Sequence, residues 1–186
     1  MRTSSLAAAF FACLLPLSAS AAPPAGWSDN YAQSVEKAQA ENKYLLLDFT
    51  GSDWCGYCKL LEKEVFGTPQ FRDWANKYVV LVQVDFPHST PLSAAVKAQN
   101  KELAGKYPIH GYPTITVTET NGKVRAQRIG YTPGSGVAAY LQALEAEMKK
   151  SGPMPTASSE ANASGGSSDP NAPKEPSIFK TARPSF

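Results

Sequence analysis

Three consecutive leucines, Leu45, Leu46 and Leu47, constrain this chain most, because they stand in a run, Tyr44–Thr50, whose first half shows no apolar and polar alternation. A strand with one face in water alternates; a strand that does not is covered on both faces, as the central strands of parallel sheets are. A second run, residues 78–85, is nearly all apolar and β-branched, and helical sequence separates the two. That arrangement predicts a parallel βαβ unit. Around it, the spacing predicts a first helix over 29–42, capped by Ser28 or Asp29, with Tyr31, Val35 and Ala38 on one face. A helix opening near Ser52 or Asp53 follows the first strand and turns Leu60, Leu61 and Val65 inward; short and long helices follow over 69–77 and 92–106. Strands over Thr114–Thr118 and 123–129 meet across Asn121-Gly122, a strong hairpin signal, and a last helix covers 135–149. The order of helix, strand, helix, strand, helix, hairpin and helix predicts a three-layer α/β domain with a mixed sheet.

The chain carries three cysteines, at positions 13, 55 and 58. Cys13 lies in a stretch that reads as an export leader over residues 1–22: a positive charge at Arg2, an apolar core from Leu6 to Leu17, and small residues before a cleavage point after Ala21 or Ala22. That core is shorter than the ~20 residues needed to span a bilayer, so the expected mature protein is soluble and exported to the periplasm or its equivalent. Loss of Arg2 leaves 17 basic residues of the original 18 against 16 acidic ones, a balance that gives no reason to expect nucleic acid as a partner. Residues 151–186 contain six prolines and eight serines without apolar periodicity, and they are expected to form a disordered tail. Between leader and tail, residues 26–150 have the length of one domain.

In the exported form only Cys55 and Cys58 remain, inside Trp54-Cys55-Gly56-Tyr57-Cys58-Lys59. A disulfide framework ties distant segments together, so thiols confined to one local motif point to chemistry instead. At the start of a helix, unpaired N–H groups and a partial positive charge favour the first sulfur as a thiolate, the form that attacks disulfides. The position one helical turn further in shields Cys58, which predicts Cys55 as the exposed nucleophile and Cys58 as the buried resolving thiol. Asp48 lies in the buried first strand, where its pKa should rise and where it can exchange a proton with Cys58.

These words, together with Leu47-Asp48-Phe49, Gly111-Tyr112-Pro113-Thr114 and Asn121-Gly122-Lys123, resemble the thioredoxin superfamily across residues 28–149. Gly51-Ser52-Asp53-Trp54-Cys55 is similar to the opening word of periplasmic thioredoxin-like thiol-disulfide oxidoreductases. The resemblance implies a thioredoxin-like fold with a mixed central sheet, a cis-proline at Pro113 facing the cysteines, and a C-terminal helix. It implies that Trp54, Tyr57, Tyr112 and Pro113 contact substrate, with the Tyr112 main chain bonding an extended segment. It also implies protein or peptide disulfides as substrates and a membrane-bound electron donor. One residue more separates Phe49 from Trp54 than in ordinary thioredoxin, which either forms a bulge or turns Asp48 away.

Other readings stay open. Gly56-Tyr57 also occurs in disulfide isomerases, so isomerase and oxidase compete with reductase; the absence of room for a dimerisation domain within 26–150 favours a monomeric reductase. A thioredoxin-like metal-binding module would have to recruit His88 or His110 to the two thiols, and no cofactor is expected. Lys59 stands where covalent haem attachment would need histidine.

Overall fold

The computed structural model describes residues 22–155; the expected leader before residue 22 and the tail beyond 155 lie outside the described residues. Eleven elements follow one another: β1 (Trp27–Ser28), α1 (Tyr31–Ala40), β2 (Tyr44–Thr50), α2 (Gly56–Leu61), a π-helical turn (Glu62–Phe66), α3 (Pro69–Tyr78), β3 (Val79–Asp85), α4 (Ala94–Lys106), β4 (Thr114–Thr118), β5 (Val124–Ile129) and α5 (Gly136–Lys150). The sheet order is β1-β3-β2-β4-β5. β2 pairs parallel with β3 and antiparallel with β4, so the leucine run is the central strand, walled in on both edges.

Alternation along β2 sorts its side chains between two cores. Leu45, Leu47 and Phe49 join Val80, Val82 and Val84 beneath α1 and α4, with Ala38, Leu103 and Tyr107. Leu46 joins Ile115 and Val117 beneath the opposite helices, with Leu61, Val65, Phe71, Leu144 and Met148. Asp48, two residues after Leu46, therefore faces the layer that contains the cysteine helix.

Three departures from the sequence reading have local causes. β1 was not expected: its two residues, too short for a pattern, pair parallel with Leu81 and Val82 of β3. α1 starts later than 29 because Asn30 is the cap, its side chain accepting from the Gln33 N–H at 3.0 Å. The chain also stays docked past 151: the Tyr44 hydroxyl donates to the Pro153 carbonyl at 2.7 Å, and Arg125 donates to the same carbonyl at 3.1 Å.

Candidate active site

β2 ends at Thr50 and the chain turns at once, with the Trp54 and Cys55 N–H groups both donating to the Gly51 carbonyl at 3.2 and 2.8 Å. This turn absorbs the additional residue, and Asp48 keeps its inward orientation. Cys55 itself then caps α2: its backbone is extended (φ −78°, ψ 109°) and its Sγ accepts the Cys58 N–H at 3.2 Å. Cys55 and Cys58 are joined in a disulfide, with Cα atoms 5.3 Å apart.

The sequence reading had offered Ser52 or Asp53 as the cap, but both are engaged elsewhere. Ser52 gives its N–H and its hydroxyl to the Asp85 carboxylate at 2.9 and 2.5 Å. The Asp53 carboxylate accepts the N–H groups of His88, Ser89 and Thr90 at 3.0, 2.7 and 3.1 Å, and the Ser89 and His88 bonds above all hold its pKa down to about 2. Lys59 reaches back to the Asp53 carbonyl at 2.8 Å and is tied to the main chain.

Exposure does not separate the two sulfurs as expected, since each cysteine is 6 % exposed. Their surroundings separate them instead. Cys58 lines a cavity of about 230 Å³ together with Asp48, Glu62, Gln83, Lys63 and Pro24, and Cys55 does not. Asp48 is buried, with one carboxylate oxygen lacking any hydrogen-bond partner. Burial pushes its pKa well above the usual carboxylate range, and the charges of Glu62 and Asp85 push the same way.

Glu62 was missed by the sequence reading. It stands four residues after Cys58 at the start of the π-helical turn, half-buried in the same cavity, and burial raises its pKa too. The signal was available, since residues four apart share a helix face.

Next to Cys55 in sequence, Trp54 opens an aromatic group. The Trp54 ring stacks on His88 (centroids 4.7 Å apart, planes within 6°) and meets the Tyr112 ring edge-on at 5.5 Å, while its Nε1 donates to the Phe86 carbonyl at 2.8 Å. Phe86 and Tyr112 are themselves 5.7 Å apart. Gly51 makes room for this ring: a Cβ there would overlap the indole Cε2 and lie 2.6 Å from Cζ2 and Nε1. The Tyr112-Pro113 bond is cis, Pro113 is buried, and its carbonyl accepts the Gly130 N–H at 2.8 Å. Tyr57, between the cysteines, is 56 % exposed. His88, weighed from sequence as a metal ligand, stacks on the Trp54 ring. Among the described residues no three His, Cys, Asp or Glu side chains gather into a metal-holding group.

A strand–turn–helix whose helix opens on a bridged cysteine pair, with a buried acid lining the same cavity as Cys58, defines a class. The chain belongs to the thioredoxin-like family, whose domain model matches residues 31–145, and its relatives together with the Cys55–Cys58 pair support a thiol-disulfide oxidoreductase. It is 32% identical over 121 residues to the disulfide bond reductase DsbH of Chlamydia pneumoniae, a match covering 65% of this chain and 72% of that one. A solved structure of a DsbH oxidoreductase superposes with a TM-score of 0.61 at 28% identity, over 77% of this chain and 95% of the other. A protein disulfide-isomerase of Triticum aestivum is 31% identical over 112 residues, 60% of this chain but only 20% of that longer protein.

Proposed function

We propose that the protein is exported, loses residues 1–22, and works as a monomeric reductase of disulfides in extracytoplasmic proteins, recharged by a membrane-bound dithiol donor. The observation that carries this reading is the asymmetry of the pair: Cys55 caps the helix beside the aromatic group, while Cys58 shares its cavity with a buried, unpaired carboxylate.

In the reduced form the Cys55 thiolate, held by the Cys58 N–H, attacks one sulfur of a substrate disulfide. The substrate's S–S bond breaks, a mixed disulfide forms, and the first substrate sulfur leaves as a thiolate that takes up a proton. Cys58 must then lose its proton to attack Cys55 Sγ. Asp48 is the base in position to take it, and Glu62 continues the path from Asp48 through the cavity. The second substrate sulfur leaves, and two electrons have passed from the protein dithiol to the substrate. Trp54, Tyr57, Tyr112 and Pro113 form the surface against which the substrate chain lies, the Tyr112 main chain pairing with it as a strand would.

Isomerase action is the second reading, supported by Gly56-Tyr57 and by the isomerase relatives. Equilibration of the Cys55 and Cys58 pair in glutathione buffers, with insulin reduction measured alongside, decides between them. A potential near or below ~−270 mV, with fast insulin reduction, is the result expected of a reductase. A potential far above it would reject that role.

A further inference from the structure

The loop after β3 and helix α4 line an open hollow of about 530 Å³, with Phe86, Pro87, Leu92, His88, Lys97 and Lys101 among the residues that line it. One lining residue, His88, stacks 4.7 Å from Trp54, the residue before Cys55. The hollow is built before any substrate arrives. At one end the Asp53 carboxylate holds the loop by three N–H groups. At the other, the Phe86 N–H donates to the Thr50 carbonyl at 2.9 Å and the buried Asn100 amide donates to the Asp85 carbonyl at 2.9 Å. A segment fixed this way binds without having to be ordered first.

Its lining carries two lysines, Lys97 and Lys101, and one buried carboxylate, Asp85. Lys97 and Lys101 stand four residues apart on α4, hence on one face, an arrangement in which like charges repel. Among the described residues neither pairs with a carboxylate. Asp85, which also lines the hollow, accepts from Ser52, and Asp53 accepts from the loop N–H groups; both keep their charge, and neither forms an ion pair with Lys97 or Lys101. The two lysines are left for an acidic group of a ligand to pair with.

We propose that this hollow is the subsite that receives an acidic side chain of the substrate polypeptide, a few residues from the cysteine under attack. The subsite rests on the oxidoreductase reading and specifies what that reading leaves open, the class of polypeptide preferred. An extended chain advances ~3.3 Å per residue, so the position matters as well as the charge.

The test uses peptides that carry one cysteine in a mixed disulfide with 2-mercaptoethanol and Glu, Gln or Lys two, three or four residues away. At low salt the reduced protein should react with the best-placed Glu peptide about threefold to tenfold faster than with its Lys counterpart. In the double variant Lys97→Glu, Lys101→Glu the order should invert, while uncharged 2-hydroxyethyl disulfide reacts at the wild-type rate. Lys149→Glu, Lys150→Glu, at the far end of α5, should leave the preference intact. An unchanged preference in the first variant, or an equal change in the second, overturns the proposal. A binding arm works without turnover: the oxidised protein is titrated with the same peptides carrying Ser for Cys, and amide resonances of residues 86–101 are followed. Shifts with the Glu peptide alone, lost in the first variant, support the subsite; no shifts, or equal shifts with the Lys peptide, overturn it. Failure of the wild-type protein to reduce 2-hydroxyethyl disulfide would overturn the oxidoreductase reading instead, and the binding arm would still decide the subsite.

Discussion

One methyl group added at Gly51 tests how the active-site turn and the aromatic group depend on each other. The built Cβ of Gly51→Ala overlaps the Trp54 indole, and no left-handed backbone angle at Gly51 adds strain of its own. The ring must therefore leave its place. It then loses the hydrogen bond to Phe86 and the contacts with His88 and Tyr112. The hydrogen bond and each ring pair are worth about 0.5–1.5 kcal/mol. Since Trp54 is 40 % exposed, the lower half of each range applies, giving about 1.5–3 kcal/mol in total. At roughly 3–5 °C per kcal/mol for a domain of this size, Tm of the oxidised protein should fall by about 5–15 °C in a circular-dichroism melt. The Trp54→Ala background supplies the control. With no ring to strike, Gly51→Ala should be neutral there or stabilise by about 0.4–1 kcal/mol through the unfolded chain. An equal loss in both backgrounds would show that the methyl meets the backbone, and the account of Gly51 would be wrong.

Three further outcomes follow from the buried charges and anchors. Burial raises the Asp48 pKa, so the folded state keeps a proton that the unfolded chain releases, and stability present below the unfolded value of ~3.9 is lost as pH rises through the folded one. Asp48→Asn removes this dependence, so urea unfolding from pH 4 to 8 should show the variant gaining on the wild type as pH rises, while resolution of the mixed disulfide slows; parallel curves would refute the inward, unpaired carboxylate. Arg125, buried and bonded to Glu119 and to the Met148 and Pro153 carbonyls, should cost about 2–4 kcal/mol when replaced in Arg125→Met, read as a lower urea midpoint; a loss below about 1 kcal/mol would refute its anchoring role. The Asp53 clamp, with its pKa held at about 2, should not change between pH 4 and 8, and Asp53→Ala, which removes the acceptor, should abolish hydrogen-exchange protection of the Ser89 and Thr90 amides; protection retained in the variant would refute the clamp.

The core of this fold was legible because burial on two faces leaves an unbroken apolar run, as in Leu45, Leu46 and Leu47, and because Asn121-Gly122 specifies a turn that places Gly122 at φ 87°. What stayed hidden was of two kinds. β1 and the π-helical turn carry no periodicity of their own: one is two residues long, and the other differs from α-helix by a single shifted bond per residue. The caps and the clamp depend on partners distant in sequence. Nothing in Ser52 or Asp53 announces that Asp85 and the 88–90 main chain will claim them, leaving Cys55 to cap its own helix. The cysteine pair and Asp48 were read directly, whereas the pairing of His88 with Trp54 spans a loop no local pattern describes.

The pin between Tyr44 and Pro153 bears on how the molecule can be handled. Tyr44 opens β2 and Cys55 follows its other end, so the strand's seven residues put about 20 Å between the pin and the sulfurs. Whatever is joined beyond residue 155, whether a fluorophore, a resin or a cell-surface scaffold, sets out from the pole facing away from the chemistry. A label grafted ahead of Pro24 would instead arrive at the wall of the chamber that holds Asp48.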